Sequence, residues 1–332
     1  MSVSQRSEAT ATLRPGVYTP LPTFFYEDEE LNLVEYRKHL LHVVGKGALP
    51  VCAGSLGEAV HLSREERSIL IRCTRETLDE QGFESVPIVA GVGGLSTRET
   101  IQLAKDAFEA GATVGMVIPP AYYAAILQQD SAQIEQYYVD ICKGSPMPLL
   151  LYNFPANSAG QDLSASTIQA IIERSPKLCG VKLTCQGRME KLTHISALVE
   201  TSGEKNFLIL DGVMSDLSTW RTSGGHGTVS GISNIAPMST VRLWTLCCLE
   251  IRSEKEDKEL EEVLSVLSRV DAVIMPLGVR GLKFALAYLY GYGKNPRKPL
   301  LSLDKENRDL VVGLLNPLSD MEKRYGNTVL CS

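Results

Sequence analysis

The 332-residue sequence has no apolar run that reaches the roughly 18–20 residues a membrane-spanning helix needs. It has no excess of positive charge either: 33 lysines and arginines stand against 39 aspartates and glutamates, a net charge of −6, without a polybasic cluster. This balance excludes the electrostatic signature of nucleic-acid binding and of attachment to an anionic membrane surface. Residues 1–14 lack an apolar signal core, so we expect a cytoplasmic protein, with a mitochondrial transit peptide as the less favoured alternative.

Metal-binding and cofactor-binding motifs are also missing. The eight cysteines form no CxxC pair and the five histidines do not cluster with them, which argues against a zinc site. The sequence contains no HExxH segment, no GxSxG segment and no P-loop. We therefore expect neither a metal ion nor an organic cofactor. Most cysteines lie within apolar patterns and are interpreted as small buried side chains in a reducing compartment.

What the sequence does contain is a regular alternation of strand-like and helix-like segments. Eight short apolar runs have the character of buried strands: Val17–Phe24, Ala48–Ala53, Val86–Val92, Thr113–Ile118, Pro148–Phe154, Leu178–Thr184, Phe207–Leu210 and Gly227–Ile232. Amphipathic segments of helical length separate them: Leu31–Val44, Arg64–Glu80, Thr97–Ala110, Ser131–Cys142, Ser164–Arg174, Arg188–Thr201 and Val213–Ser223. Ser63 and Ser96 each precede a helix and are followed three residues later by a glutamate, the pattern of a capping box.

Eight such repeats predict an α/β fold in which parallel strands close into a (β/α)8 TIM barrel. We assign residues 15–236 to the barrel and residues 237–325 to a C-terminal helical extension packed on it. The extension is expected to form helices over Pro237–Glu250, Glu254–Val273, Gly278–Tyr290 and Leu303–Leu315. In such barrels the chemistry takes place at the carboxyl ends of the strands.

Lys182 is the most informative residue at a predicted strand end. It lies in the apolar run Leu178–Thr184, where a cation is costly unless it is paired or loses its proton. Desolvation lowers the pKa of a lysine, and a neutral lysine can attack a ketone to form a Schiff base. From this segment alone, a lysine whose ammonium reaches water at the strand end is the competing interpretation.

Other reactive or anion-binding groups follow neighbouring strands. The segment Gly54-Ser55-Leu56-Gly57-Glu58 follows the second strand, and its amides and the Ser55 hydroxyl could converge on a carboxylate, although most loops of this type are simple turns. Tyr152 ends the fifth strand and could exchange protons with a Schiff-base intermediate, although a tyrosine there more often serves packing. Tyr122 and Tyr123 follow the fourth strand, with packing or an interface as the alternative role.

Three further positions belong to the same predicted rim. Thr184 lies two residues after Lys182 and points to the same side of the strand, Gly212 follows the seventh strand, and Gly231 lies at the end of the eighth. His226 precedes the eighth strand, at the opposite end of the barrel, and is interpreted as structural. A lysine, a tyrosine and a Gly-Ser loop at one rim together indicate a class I aldolase.

Three motifs carry a family resemblance: Gly54-Ser55-Leu56-Gly57-Glu58, Tyr152-Asn153-Phe154-Pro155 and Gly180-Val181-Lys182. Their order and spacing resemble those of the dihydrodipicolinate synthase / N-acetylneuraminate lyase superfamily, over about residues 15–290. The resemblance implies a pyruvate-handling Schiff-base enzyme on a (β/α)8 barrel with extra C-terminal helices. It also implies a homotetramer built from tight dimers.

The resemblance assigns roles residue by residue. Lys182 would form the Schiff base and Tyr152 would be the acid and base. Ser55 and the Leu56 amide, next to Gly54, would hold the pyruvate carboxylate. One tyrosine after the fourth strand, Tyr123 rather than Tyr122, would reach into the site of a neighbouring subunit, although the extra Ala121 in this loop leaves the choice between them open.

Departures from the synthase pattern indicate the substrate. Where the lysine-pathway synthases carry an arginine for a second carboxylate, this chain has Asn157, and where they carry a threonine it has Leu56. Both changes disfavour dihydrodipicolinate synthase. Residues 155–157 are similar to 4-hydroxy-2-oxoglutarate aldolase, whereas residues 52–62 and 180–185 look most like the fungal 2-keto-3-deoxy-L-galactonate aldolases of galacturonate breakdown.

The expected activity is therefore reversible cleavage of a 2-keto-3-deoxy sugar acid, such as 2-keto-3-deoxy-L-galactonate, to pyruvate and glyceraldehyde. 4-Hydroxy-2-oxoglutarate aldolase is the nearest alternative, and dihydrodipicolinate synthase is a weaker one. A non-catalytic barrel that senses keto acids is the alternative from another class of protein; it would bind pyruvate without forming an adduct.

Overall fold

The computed structural model describes residues 13–202 and 206–326. Eight parallel strands pair in chain order, and the last pairs with the first, so the sheet closes into a barrel. The strands are β1 Gly16–Pro20, β2 Leu49–Cys52, β3 Val89–Gly91, β4 Val114–Val117, β5 Leu149–Asn153, β6 Leu178–Leu183, β7 Leu208–Asp211 and β8 Gly227–Val229. Every residue of six of them is buried, because helices cover the outside and side chains fill the inside. The predicted (β/α)8 barrel is confirmed.

Twelve helices are found among the described residues. They are α1 Leu33–Val44, α2 Arg64–Glu80, α3 Thr97–Glu109, α4 Ala124–Leu127, α5 Ser131–Gly144, α6 Ala165–Arg174, α7 Arg188–Ser202, α8 Leu217–Thr222, α9 Pro237–Cys248, α10 Glu254–Ile274, α11 Gly278–Tyr290 and α12 Lys305–Gly326. Three 3-10 turns, Ala59–His61, Pro155–Asn157 and Gly231–Asn234, follow β2, β5 and β8. Predicted bounds match those of α2 and α11, whereas the short helix α4 was not predicted.

Strand β8 and helix α8 are both shorter than the segments predicted for them. The apolar run that begins at Gly227 continues to Ile232, but β8 ends at Val229 and the chain turns into the buried segment Gly231–Asn234. Burial without strand pairing gives the same apolar pattern as a strand. The helix predicted from Val213 begins four residues later, since the Val213 amide donates to the Asp211 carboxylate instead of entering a helix.

One predicted capping box is confirmed and the other is half wrong. Ser63 accepts from the Glu66 amide while the Glu66 carboxylate accepts from the Ser63 amide, which is the reciprocal arrangement. Ser96 also accepts from the Glu99 amide, but the Glu99 carboxylate accepts from the Leu95 amide, one residue earlier.

The last helix is longer than predicted at its C-terminal end. α12 runs through Pro317 to Gly326, instead of ending at Leu315. A proline inside a helix costs a hydrogen bond and produces a clash. Here Leu318 and Met321, beyond the proline, are buried in the core, and this burial outweighs the local cost.

In the part of the chain that the structure describes, no helix is both long and apolar enough to cross a membrane, and no three histidine, cysteine or acidic side chains are grouped as metal ligands would be. Five of the seven described cysteines are buried; Cys179 is half-buried and Cys248 is exposed. The compartment prediction rests on residues 1–14, and residues 1–12 of this segment lie outside the described part of the chain.

Candidate active site

The centre of the candidate site consists of two side chains on adjacent strands. In the β5–β6 ladder, Tyr152 is paired with Lys182, so both side chains project to the same side. They are 4% and 5% exposed, respectively. The Nζ atom of Lys182 lies 3.9 Å from the centroid of the Tyr152 ring. A buried amine is therefore held against a buried phenol, and the alternative of an ammonium that reaches water is wrong.

Burial changes the proton affinity of this amine. It lowers the pKa of Lys182 to about 7, while the carboxylate of Asp211 opposes the change. A lysine at its ordinary pKa of about 10.4 carries almost no neutral form at neutral pH. Lys182 therefore carries a substantial fraction of the neutral, nucleophilic form.

Burial acts on the phenol in the opposite sense. It raises the pKa of Tyr152 well above the ordinary value, and the hydroxyls of Thr184 and Ser55 partly offset the rise. Tyr152 is therefore protonated at neutral pH and is a proton donor in the resting site. Thr184 Oγ1 is buried without a hydrogen-bond partner of standard geometry among the described residues, so it is available to a ligand.

The segment Gly54–Gly57, which we call the Gly-Ser loop, follows β2 at the same rim. Left-handed backbone conformations flank it on both sides, with φ of 48° at Ala53 and 56° at Glu58. The loop closes with a hydrogen bond of 3.2 Å from the Glu58 amide to the Ser55 carbonyl. Two non-glycine residues in this conformation mark a backbone held in place by its surroundings.

Three consecutive amides of the Gly-Ser loop have no acceptor. Among the described residues, the N–H groups of Ser55, Leu56 and Gly57 donate to no backbone or side-chain atom. Successive free N–H groups in a tight turn form a concavity that binds anions. Together with the Ser55 hydroxyl, the Gly-Ser loop can hold a carboxylate.

Two glycines bring the remaining strand ends close to this group. A Cβ atom on Gly212 would lie 1.8 Å from Thr184 Oγ1, and one on Gly231 would lie 2.6 Å from the Met275 sulfur and 3.0 Å from Leu56 Cδ1. Only glycine fits at such distances. The ends of β6, β7 and β8 and the Gly-Ser loop therefore converge on one chamber.

Three predicted residues lie outside that chamber. Asn157 is exposed on the 3-10 turn after β5. Tyr122 and Tyr123 are 81% and 62% exposed and pack edge to face. Tyr123 lines a surface groove of about 690 Å³ together with Leu95 and Pro120. Within one chain, neither tyrosine joins the Lys182 group.

Asp211 is a residue whose role the sequence did not reveal. Its carboxylate is fully buried, and Arg188 Nε lies 3.2 Å from Oδ1. Burial raises the pKa of Asp211 to about 7, against the opposing charge of Arg188. The sequence did contain a signal for Asp211: a charged residue at the end of an apolar strand. A charged residue in an apolar strand is also what singled out Lys182.

The chain has clear relatives among known proteins. The model of the Dihydrodipicolinate synthetase family matches residues 14–317. A protein named "Probable 4-hydroxy-2-oxoglutarate aldolase, mitochondrial", from Emericella nidulans, is 37% identical over 299 residues, which are 90% of this chain and 93% of the relative. An L-threo-3-deoxy-hexylosonate aldolase from Aspergillus niger is 34% identical over 332 residues, 94% of this chain and 97% of the relative.

A solved structure gives the same picture of the fold. A putative dihydrodipicolinate synthase family protein from Coccidioides immitis superimposes with a TM-score of 0.79 at 26% identity. The match covers 94% of this chain and 98% of the other. The similarity thus extends over nearly the full length of both chains, including the helices that follow the barrel.

Proposed function

Because the chain belongs to the dihydrodipicolinate synthetase family, we propose that it is a Schiff-base aldolase that cleaves a 2-keto-3-deoxy sugar acid to pyruvate and glyceraldehyde. The observation that carries the proposal is the Lys182 amine, buried and 3.9 Å from the Tyr152 ring. The preferred substrate is 2-keto-3-deoxy-L-galactonate, as expected of an enzyme of galacturonate breakdown. The Aspergillus niger relative, named as an L-threo-3-deoxy-hexylosonate aldolase, supports this choice.

The first step joins the enzyme and the substrate. The neutral amine of Lys182 attacks the C2 carbonyl and a C–N bond forms. The carbonyl oxygen takes one proton from the amine and one from solvent and leaves as water, which gives a cationic iminium. The Gly-Ser loop holds the C1 carboxylate through its free amides and the Ser55 hydroxyl. Fixing the carboxylate beside the amine turns the encounter into an intramolecular reaction.

The second step breaks the bond between C3 and C4. Tyr152 first loses its own proton to water, and the phenolate then takes the proton of the C4 hydroxyl, directly or through a water or the substrate carboxylate, as the aldehyde departs. The C3–C4 electron pair moves into the iminium and leaves an enamine. The positive iminium next to the ring favours the phenolate, which offsets the high pKa of Tyr152 in the resting site. The phenol then protonates C3, and water releases pyruvate and Lys182.

The remaining predicted residues are proposed to bind the substrate, from within the chamber or, for Asn157, from its exposed position after β5. Thr184 and the tightly packed Gly212 and Gly231 define the space beyond C3. Asn157 is proposed to approach the distal end of the substrate as a neutral group. An amide cannot make the bidentate ion pair by which an arginine selects a second carboxylate.

4-Hydroxy-2-oxoglutarate aldolase is the second candidate, since the Emericella nidulans relative carries that name at 37% identity. The two activities share the Schiff base and differ in the group beyond C4. Pyruvate release from both substrates, measured side by side, decides between them. Equal or greater kcat/KM for 4-hydroxy-2-oxoglutarate would reverse our order of preference.

Treatment with pyruvate and borohydride tests the proposed chemistry. We expect an irreversible mass addition at Lys182, and none in Lys182→Ala, which should also have no cleavage activity. Protein that binds pyruvate but gains no mass would be a keto-acid sensor and not an aldolase.

The proposed assembly is a cytoplasmic homotetramer built from tight dimers, with pyruvate-yielding keto acids as its ligands. The exposure of Tyr123 and of the adjacent groove supports a contact between subunits at this surface. Tyr123, with Tyr122 as the alternative, would then reach a neighbouring chamber. The name of the Emericella nidulans relative includes "mitochondrial", which keeps that compartment as an alternative.

A further inference from the structure

A fully buried ion pair lies directly behind the Gly-Ser loop. Glu58, the residue that follows the loop, is 2% exposed, and Lys283, on α11, is completely buried. Lys283 Nζ lies 2.5 Å from Glu58 Oε1, donates to the Asn295 carbonyl at 3.0 Å, and sits over the face of the Phe25 ring at 4.5 Å. The ammonium is thus enclosed by a carboxylate, a carbonyl and an aromatic face.

The other oxygen of the same carboxylate is also bound. Glu58 Oε2 accepts from the Arg297 amide at 2.9 Å and lies 3.1 Å from His61 Nδ1. The Arg297 guanidinium continues the network to the His61 carbonyl at 2.8 Å and to the Glu66 carboxylate at 2.6 Å. Groups from the segment around α11 and from the segment after β2 therefore meet at one side chain.

Such a pair is an expensive way to stabilise a fold. Removing two charges from water costs several kcal/mol per ion, and well-packed apolar side chains of similar volume often serve stability equally well. Glu58 in addition adopts a left-handed backbone conformation, with φ of 56°. A strained residue with a buried charge beside a ligand loop points to a requirement of the loop rather than of the core.

The backbone connects the ion pair to the free amides. The Glu58 amide donates to the Ser55 carbonyl, and the Gly57 carbonyl accepts from the buried Thr23 hydroxyl at 2.7 Å. With the Glu58 amide bonded to the Ser55 carbonyl and the Gly57 carbonyl bonded to Thr23, the peptides from Ser55 to Glu58 have little freedom. The direction of their N–H groups therefore depends on where the Glu58 side chain is anchored.

We propose that Glu58 and Lys283 are positioning residues that hold the Gly-Ser loop in its anion-binding form. Lys283 belongs to α11, outside the eight strand–helix repeats, so a helix that follows the barrel sets the carboxylate affinity of the chamber. This inference rests on the proposed function, since it assigns the loop to the keto-acid carboxylate. It concerns affinity for that carboxylate and not the reactivity of the amine.

The double variant E58Q/K283M tests the proposal. It removes both charges together and leaves neither ion uncompensated, so the fold is expected to persist. Borohydride trapping at Lys182 is followed by mass spectrometry at increasing concentrations of pyruvate and, separately, of hydroxyacetone, a ketone without a carboxylate. We expect the half-saturating pyruvate concentration to rise about tenfold, the weight of one hydrogen bond to a charged group, and hydroxyacetone trapping to stay within about twofold of wild type.

Two further variants complete the experiment. E58Q alone keeps the shape and the acceptor oxygen, and should shift the pyruvate dependence in the same direction, with KM for the sugar acid rising more than kcat falls. E259Q is the matched control, because Glu259 pairs with Arg242 at 2.7 Å between α9 and α10, away from the loop. It should behave as wild type with both ketones.

Unchanged pyruvate dependence in the folded variants, or an equal loss with both ketones, would overturn the positioning role. Wild-type protein that traps neither ketone would instead overturn the proposed aldolase activity. The two failures are therefore distinguishable in one set of measurements.

Discussion

At the scale of single residues, the candidate site depends on what burial does to Lys182 and Tyr152. The same desolvation lowers the pKa of the amine and raises that of the phenol, so at neutral pH both groups are disposed toward their neutral forms. At one pH, the chamber thus holds an amine that can attack a carbonyl and a phenol that can donate a proton.

The pH dependence of trapping follows from Lys182. Only the neutral amine attacks, so the rate at low pyruvate should increase with pH and level off above about 7. The Asp211 carboxylate raises the pKa of Lys182, so Asp211→Asn should move the midpoint to lower pH. Asp216→Asn is the control, since Asp216 pairs with the same Arg188. A midpoint that stays in place or moves upward in Asp211→Asn would contradict the coupling.

Replacement of Tyr152 separates binding from proton transfer. Tyr152→Phe keeps the ring under Lys182 and removes the hydroxyl. Cleavage should slow by a factor on the order of 10²–10⁴, the usual weight of one acid/base group. Borohydride trapping of pyruvate should persist, because forming the iminium needs the amine. Loss of trapping along with cleavage would show that the hydroxyl acts before the carbon–carbon bond breaks.

At the scale of elements, the close contact of the β6 and β7 ends makes Gly212 a sensitive position. Gly212→Ala places a Cβ atom 1.8 Å from Thr184 Oγ1, so the two strand ends must separate. We expect a lower melting temperature and reduced cleavage. Gly313→Ala is the matched control, because a Cβ on this exposed residue within α12 meets nothing within 4 Å. It should stabilise the protein by about 0.5–1 kcal/mol, and equal effects of both changes would contradict the packing argument.

Periodicity predicted the existence and order of the barrel elements, but their ends depend on tertiary contacts. The run to Ile232 is apolar because it is buried, yet its backbone leaves the ladder at Val229. The stretch from Val213 to Asp216 is not helical because the Asp211 carboxylate takes the Val213 amide. The last helix was predicted to end at Leu315, although buried residues beyond Pro317 extend α12 to Gly326. Whether a buried run stays in the ladder, or a helix continues past a proline, depends on packing against other elements, which the local pattern does not contain.

At the scale of the whole molecule, sequence spacing identified some residues of the site and missed others. Lys182, Tyr152 and Ser55 stand at strand ends, where the barrel architecture itself predicts chemistry. The Glu58–Lys283 pair joins residues 225 positions apart (283 minus 58), and no local pattern relates them. The division into a barrel of residues 15–236 and an extension of 237–325 remains a proposal, and this ion pair crosses it.

We expect the subunits to associate into a tetramer. Light scattering should give the mass of a tetramer. Tyr123→Ala should weaken both association and cleavage if its ring enters a neighbouring chamber, while Tyr122→Ala serves as the adjacent control. The opposite ranking would assign the role to Tyr122, and a fully active monomer would remove the intersubunit contribution altogether.

The buried Glu322 carboxylate on α12 accepts hydrogen bonds from the Met238 and Ser239 amides, both at 2.8 Å, and from the Ser239 hydroxyl at 2.6 Å. These donors belong to the first turn of α9, which would otherwise leave them without partners. During synthesis on the ribosome, that turn must wait more than eighty residues for its acceptor to emerge. The first turn of α9 therefore reaches its final hydrogen bonding only after the whole barrel and the helices α10 and α11 have been synthesised.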